Sequence, residues 1–359
     1  MLITIFGSSI TSAYWNGAAT YYRGICRALH RRGHQIVFVE QDIFDRQRHR
    51  DLPQDPDYAE VRLCRGLDDL ARQVEEARRS DVVAKCSGCG ANDEWLDQAV
   101  LERRGRGLVV YWDVDAPATL EQARAAPDWY FRRLVPRFDA VLTYGGGEPV
   151  LQAYRQLGAR AVLPVYNAVD LEEYAPVPLD EELRCDLLFM GNRMPDREER
   201  FWAFFAEAAR RAPEKRFLLG GEGWGEHAPL PPNVRYIGHV PTYRHAVVNC
   251  SATFVLNINR TAMARYGFSP PTRIFEAAAC CCCIITDAWA GIEQFFAPGR
   301  EILVAESADD IVRYLRDVPP DRARAIGQAA RRRVEREHTY TQRAELLERA
   351  LVEWLRASA

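Results

Sequence analysis

Apolar positions along this chain follow two rhythms that take turns. Short apolar runs at residues 2–7 and from Gln35 to Glu40 predict strands, and between them Tyr21, Ile25 and Leu29 recur at helical spacing within Thr20 to Arg32. The alternation continues with a predicted helix from Asp68 to Arg79 and predicted strands at Val82 to Lys85, Leu108 to Trp112 and Val141 to Tyr144. Strand and helix in that order predict an α/β fold with a parallel, doubly wound sheet. Loops of small residues stand at several strand ends: residues 8–18 with Asn16 and Gly17, residues 87–93 ending in Asp93, and Gly145-Gly146-Gly147. Ligands meet an open parallel sheet at the carboxyl ends of its strands, so these loops are candidate binding surfaces, as are Asp113 and Asp115 after the 108–112 strand. Residues 8–18 lack the GxGxxG pattern, which argues against a dinucleotide-dependent dehydrogenase.

The pattern lapses after Asp170, where Pro176 and Pro178 stand in an acidic run to Glu182, and it restarts at Asp186-Leu187-Leu188-Phe189-Met190-Gly191. We therefore expect an N-terminal Rossmann-like domain over 1–170, a linker over 171–184, and a second Rossmann-like domain over 185–340. In that second domain the pattern predicts a helix from about Glu198 to Arg211, then a strand at Phe217 to Gly221, a strand and loop over Val234 to Val240, and a strand at Phe254 to Ile258. The tail, 341–359, reads as an amphipathic helix with Leu347, Leu351 and Trp354 on one side.

Composition narrows the function classes. A chain of 359 residues is comfortable for two α/β domains, and a net charge of −3 argues against a nucleic-acid or membrane-surface partner. The only lysines are Lys85 and Lys215, which removes most candidates for Schiff-base chemistry. No stretch approaches about 20 apolar residues, so no transmembrane segment is expected. The chain begins on a strand pattern without a signal-peptide charge and cleavage site, so a cytoplasmic location is expected. Ten cysteines in a chain of this size read as small buried hydrophobes, with Cys280 to Cys283 expected to splay apart where a helix gives way to a strand. Cys86-Ser87-Gly88-Cys89 has knuckle spacing but no second pair, so no metal site is expected.

One stretch concentrates the candidate chemistry. Ser269-Pro270-Pro271-Thr272-Arg273-Ile274-Phe275-Glu276 reads as a helix start with Ser269 as cap and Pro270 in the first turn, followed by Ala277 to Cys283 and a buried strand ending at Asp287. Arg273 and Glu276, three apart, leave one face near the start of that helix. A helix N-terminus attracts anions, an arginine beside it suits a phosphate, and an ionised carboxylate one turn deeper accepts from a pair of hydroxyls. A purely structural Arg–Glu pair is the plainer reading of the same spacing.

This arrangement resembles the C-terminal donor site of GT-B glycosyltransferases. More narrowly, Phe275 to Cys280 followed by Ile284-Ile285-Thr286-Asp287 resembles the CgeB-like (spore maturation protein type) branch. Further segments in the same order extend the resemblance over nearly the whole chain: Tyr111 to Pro117, Thr143 to Gly147, Tyr166 to Asp170, Met190 to Arg193, Gly238 to Val240, Asn257 to Arg260, and Gly291 to Gly299. The resemblance implies two Rossmann-like doubly wound domains facing across a cleft, with a nucleotide-sugar donor on the second, an acceptor on the first, and a tail helix that crosses back to the first domain. Glu276 would then accept from the ribose hydroxyls. Arg273, Arg193, Arg197 and Arg260 are the candidates for the diphosphate, Gly238 and His239 for the base, and Glu293 for the donor sugar. Asp113, ahead of Asp115 and then Asp93, is the expected base for an acceptor hydroxyl. Asn16, Gly17, Asp93, Gly145 and Gly146 are the expected acceptor-side positions. No cofactor is expected, the donor being a substrate, and charge on the departing diphosphate would be met by arginines and a helix dipole without a metal. Two positions depart from the family: Phe268 stands where many retaining members have a second glutamate, and Cys281 where a glycine usually ends the helix. The expected activity is transfer of a sugar from a nucleoside diphosphate. A nucleotide-sugar 2-epimerase and a non-catalytic nucleotide-sugar binding protein are the alternatives.

Overall fold

The structure is a computed structural model that describes residues 1–224 and 229–358. The chain divides into two compact units, the first made of Met1–Asn167 with Tyr340–Ala359, the second of Ala168–Thr339.

The first unit is built on a parallel sheet with strands β1 (Leu2–Phe6), β2 (Gln35–Gln41), β3 (Glu60–Cys64), β4 (Val82–Cys86), β5 (Leu108–Asp113), β6 (Ala140–Thr143) and β7 (Val162–Pro164). Their spatial order is β3-β2-β1-β4-β5-β6-β7, so the winding direction reverses between β1 and β4. Branched and aromatic residues buried on both faces explain why these strands read as continuous apolar runs. The tail helix Tyr340–Ser358 packs on the first helix, Ala19–Arg31. Gly24 makes that approach possible, since a Cβ there would lie 2.0 Å from the Tyr340 ring. Tyr21 completes the seam: its hydroxyl donates to the Val165 carbonyl at 2.8 Å and accepts from Trp112 Nε1 at 3.0 Å.

The second unit repeats the plan with β8 (Cys185–Met190), β9 (Phe217–Gly220), β10 (Val234–Tyr236), β11 (Ala252–Asn257), β12 (Cys283–Asp287) and β13 (Leu303–Ala305). All pair in parallel in the order β10-β9-β8-β11-β12-β13, and the reversal falls between β8 and β11. Leu187, Phe189, Phe201, Phe205, Phe217 and Trp224 fill one face of this sheet.

Residues 171–184 pack within the second unit, where Tyr174 and Leu183 are buried and Asp180 N donates to Ser251 Oγ at 2.9 Å. The central helix runs Thr272–Ala279, so Ser269 is not its cap; the Ser269 hydroxyl donates to the Gly267 carbonyl instead. Two successive prolines delay the helix, because a residue before proline avoids helical backbone. Among the cysteines, Cys282 turns its sulfur to the Asn249 carbonyl at 3.2 Å, and Cys250 points its own at the Cys280 carbonyl at 3.7 Å. All ten cysteines are free thiols.

Candidate functional site

The second unit gathers its polar residues where β8 and β11 end, at the reversal of its sheet. After β8 the chain turns through Gly191-Asn192-Arg193 into the helix Pro195–Phe201. This turn lies against the end of β9, with Gly191 N donating to the Gly220 carbonyl at 2.9 Å and Trp224 Nε1 donating to the Gly191 carbonyl at 2.7 Å. Gly221, at φ +119, admits that contact, since a Cβ on it would sit 2.2 Å from the Gly191 carbonyl oxygen.

Two arginines close over Gly191. A point where its Cβ would stand lies 2.6 Å from Arg273 Nη2 and 3.0 Å from Arg197 Nη1. Arg273 is aimed by Asn257 at the end of β11, whose Oδ1 accepts from Nη1 at 2.8 Å, and by the Phe189 ring, 5.1 Å below its guanidinium carbon. Arg197 Nη1 donates to the Asn192 carbonyl at 3.2 Å. Loss of water, with the Arg197 charge beside it, holds the Arg273 guanidinium below its ordinary value, while Glu276 and Asp287 pull it back up. Like charges that converge on one point repel, so an anion placed between these two guanidinium groups would offset that repulsion.

A second layer holds this arrangement. Asn257 Nδ2 donates to Asn259 Oδ1 at 3.1 Å and to Thr286 Oγ1 at 3.0 Å. The fully buried Asp287 accepts from Asn259 N and, at 2.6 Å, from Arg200 Nη2. Burial pushes the Asp287 carboxyl up and Arg200 opposes that shift.

Glu276 stands one turn into the helix after Arg273. Its side chain is nearly enclosed, the residue being 5% exposed, and Oε2 lies 4.0 Å from His245 Nδ1. His245 opens the short helix His245–Cys250, and sequence reasoning passed over it, as it did Arg200, while Asn257 entered only as part of the 257–260 segment and without a role. A histidine, an asparagine and an arginine in these segments carry no spacing signal; only the fold brings His245 to Glu276, Asn257 to Arg273 and Arg200 to Asp287.

The remaining donor-side candidates separate. Arg193 Nη2 is drawn to Glu198 Oε2 at 2.6 Å, and Arg260 Nε to Asp196 Oδ2 at 2.6 Å. Both arginines therefore brace the turns after β8 and β11, and the structure does not bring them into the pair over Gly191. Gly238 takes φ +68, and its carbonyl accepts from Gly221 N at 2.7 Å, which ties the loop after β10 to the loop after β9. His239 is exposed on that loop, and with Tyr236, Val240 and Arg244 it lines a cavity of about 350 Å³. Glu293 is exposed on the turn Ile292–Gln294.

In the first unit, Asp113 is not placed as an open base. It is fully buried, its Oδ1 accepts from Asp115 N at 2.9 Å and Thr119 Oγ1 at 3.1 Å, and Tyr154 donates to Oδ2. Burial pushes its carboxyl up, and hydrogen bonds from Tyr154, Asp115 N and Ser87 oppose that shift. Asp113 thus shapes the end of β5. Asp115 is partly exposed and occupies the cap position of the helix Ala116–Ala125. Asp93 is held by Lys85 Nζ at 3.0 Å and Gly90 N at 3.3 Å. Asn16 is buried within its own loop, accepting from Ser8 Oγ and donating to the Ser9 and Ser12 carbonyls. Gly17 faces open space, while Gly145 and Gly146 are buried in the turn to the helix Gly147–Gln156, where Gly146 takes φ +93. Among the described residues, no group of three or more His, Cys, Asp or Glu side chains is placed to hold a metal ion, and no helix is long and apolar enough to cross a membrane.

Comparison with known proteins agrees with this architecture. Residues 197–349, which include Arg197, Arg273, Glu276 and His245, match a family model described as glycosyl transferase-like. No curated protein sequence matches the chain. Among solved structures, sucrose-phosphate synthase from Thermosynechococcus elongatus superposes with a TM-score of 0.73 at 14% identity, over 100% of this chain and 99% of that one. HepE from Anabaena, in complex with UDP and glucose, superposes with a TM-score of 0.70 at 15% identity, covering 98% and 100% of the two chains. AviGT4, a glycosyltransferase involved in avilamycin A biosynthesis, does so with a TM-score of 0.64 at 16% identity, covering 99% and 98%. The fold is GT-B, with two Rossmann-like parallel-sheet units.

Proposed function

We propose that this chain is a glycosyltransferase that moves a sugar from a nucleoside diphosphate to an acceptor met by the first unit. The observation that carries the reading is the convergence of Arg273 and Arg197 over Gly191, with Glu276 one turn further along the helix that supplies Arg273. That geometry suits a pyrophosphate joined to a ribose. The arginines take the two phosphates with the positive end of the helix, and the carboxylate accepts from the ribose hydroxyls. Negative charge grows on the diphosphate as the glycosidic bond breaks, so fixed guanidinium groups stabilise the transition state more than the ground state. In this reading the arginines do the work that a divalent ion does elsewhere, and the reaction proceeds without added metal.

The complexes of HepE with UDP and with UDP-glucose make a uridine diphosphate sugar the first donor to try. Phe275 to Cys280 with Ile284 to Asp287 supports a CgeB-like placement within the fold. A cytoplasmic setting and a sugar of the hexose class remain part of the same proposal. Of the acidic residues in the first unit, Asp115 is the better placed to take a proton from an acceptor hydroxyl, since Asp113 is enclosed.

A thermal-shift screen with the common nucleoside diphosphates tests donor binding, because only a ligand of the native state raises the midpoint by mass action. Incubating the stabilising donor without acceptor then separates the reactions. Slow release of nucleoside diphosphate with an unchanged sugar supports a transferase, whereas an epimerised sugar supports a 2-epimerase. Tight binding without any release supports a binding protein.

A further inference from the structure

His245 sits between two parts of the donor site that the chain builds from separate segments. Its Nε2 lies 3.1 Å from the Val240 carbonyl, and its Nδ1 lies 3.2 Å from the Tyr174 hydroxyl and 4.0 Å from Glu276 Oε2. A carbonyl only accepts, so Nε2 carries a hydrogen, while Nδ1 faces the Tyr174 hydroxyl, which can donate or accept, with the Glu276 carboxylate just beyond it. The ring plane is therefore fixed from both sides. Val240 ends the 238–240 loop, whose neighbour His239 lines the adjoining cavity, and Glu276 is the carboxylate on the central helix. The ring is partly exposed and the Glu276 side chain is 7% exposed, so the imidazole edge forms one wall of the space in which that carboxylate is held. Cys250, at the other end of the same short helix, points its sulfur at the Cys280 carbonyl just past the helix that carries Glu276, which anchors the two helices at a second point.

We propose that His245 is a positioning residue for donor recognition, one that ties the 238–240 loop to Glu276 so that base and ribose are gripped in register. The inference rests on the reading of Glu276 as the ribose carboxylate and adds a specific dependence to it. Glu276 has several side-chain rotamers, and hydroxyl recognition requires one of them. A ring locked to Val240 and Tyr174 restricts that choice before the ligand arrives, as outer partners orient inner ones in other polar sites. A residue that merely filled space would support the fold without affecting which ligand hydroxyls are recognised.

The test is calorimetric titration of the full chain with the tightest binder among uridine, cytidine, adenosine and guanosine diphosphates, and with its 2′-deoxy counterpart. The wild-type protein is expected to bind the ribose form at least tenfold more tightly. In His245→Phe, which keeps a ring of similar size but no polar atom, that preference falls below threefold. In His245→Gln, whose amide can still donate to Val240, most of the preference returns. A Phe variant that keeps the full hydroxyl preference overturns the role of His245 and leaves that of Glu276 standing. A wild-type protein with no preference between the two ligands overturns the ribose role of Glu276 and this inference together. A circular-dichroism melt of each variant keeps loss of fold apart from loss of preference, and the Gln variant carries the test should the Phe variant fail to fold.

Discussion

At the scale of single residues, the donor site depends on one missing side chain. Gly191 is not held at positive φ, so alanine is acceptable to its backbone, yet a Cβ there would crowd the ends of Arg273 and Arg197. Those ends are flexible and can swing aside. Gly191→Ala should therefore leave stability within about 0.5 kcal/mol of wild type, as for a neutral substitution. By displacing both guanidinium groups it should weaken nucleoside diphosphate binding by about tenfold, the value of one charge-assisted hydrogen bond. Titration calorimetry beside a thermal melt reads both quantities, and unchanged affinity would separate the arginine pair from donor binding. Asp113 makes the opposite prediction. With Tyr154, Thr119 and Asp115 N all donating to a fully buried carboxylate, Asp113→Ala leaves those donors unpartnered and should cost about 2–3 kcal/mol in a denaturant melt. The sequence could show that Arg193, Arg197, Arg260 and Arg273 were available, but it could not show which would be neutralised. Glu198 claims Arg193 and Asp196 claims Arg260, the latter across 64 positions of chain.

At the scale of elements, most of the α/β alternation was legible because buried parallel strands are nearly all apolar. The strands that escaped are short or lie at a sheet edge: β3 is only half-buried, and β7 and β13 have three residues each, too few for a period to be read. The start of the central helix was also misplaced, because capping chemistry at Ser269 competes with two prolines and the prolines prevail. Its end was read correctly as a turn that ordinarily wants glycine. Cys281 takes φ +60, in the left-handed region, and its carbonyl is packed by Gly327 of the helix Pro320–Glu337, where a Cβ would lie 2.0 Å away. A β-carbon in that backbone state costs on the order of 1 kcal/mol. Cys281→Gly should raise the unfolding free energy by about that amount, seen as a higher denaturant midpoint with an unchanged slope. A lower midpoint would mean that the thiol contributes more by packing than the turn loses by strain.

At the scale of the whole molecule, the first unit is made of two pieces of chain, since residues 340–358 return to it after the second unit is complete. Amphipathicity announced that helix, but only the fold shows where its apolar face lands. Leu347 and Leu351 are buried, and Arg32 binds Glu345 and Glu348 along the same seam. Gly24→Ala forces a methyl against the Tyr340 ring and should destabilise the protein by about 2 kcal/mol, within the range for overpacking a well-filled contact. A melt that is unaffected would place the tail helix elsewhere.

The central claim is that the helix Thr272–Ala279 grips a nucleoside diphosphate with Arg273 toward the phosphates and Glu276 toward the ribose. Titration of wild type and Glu276→Ala with the nucleoside diphosphate that most raises the melting midpoint tests it most directly. The account predicts at least a tenfold loss of affinity in a protein that still folds. Equal affinity in the two proteins would contradict it.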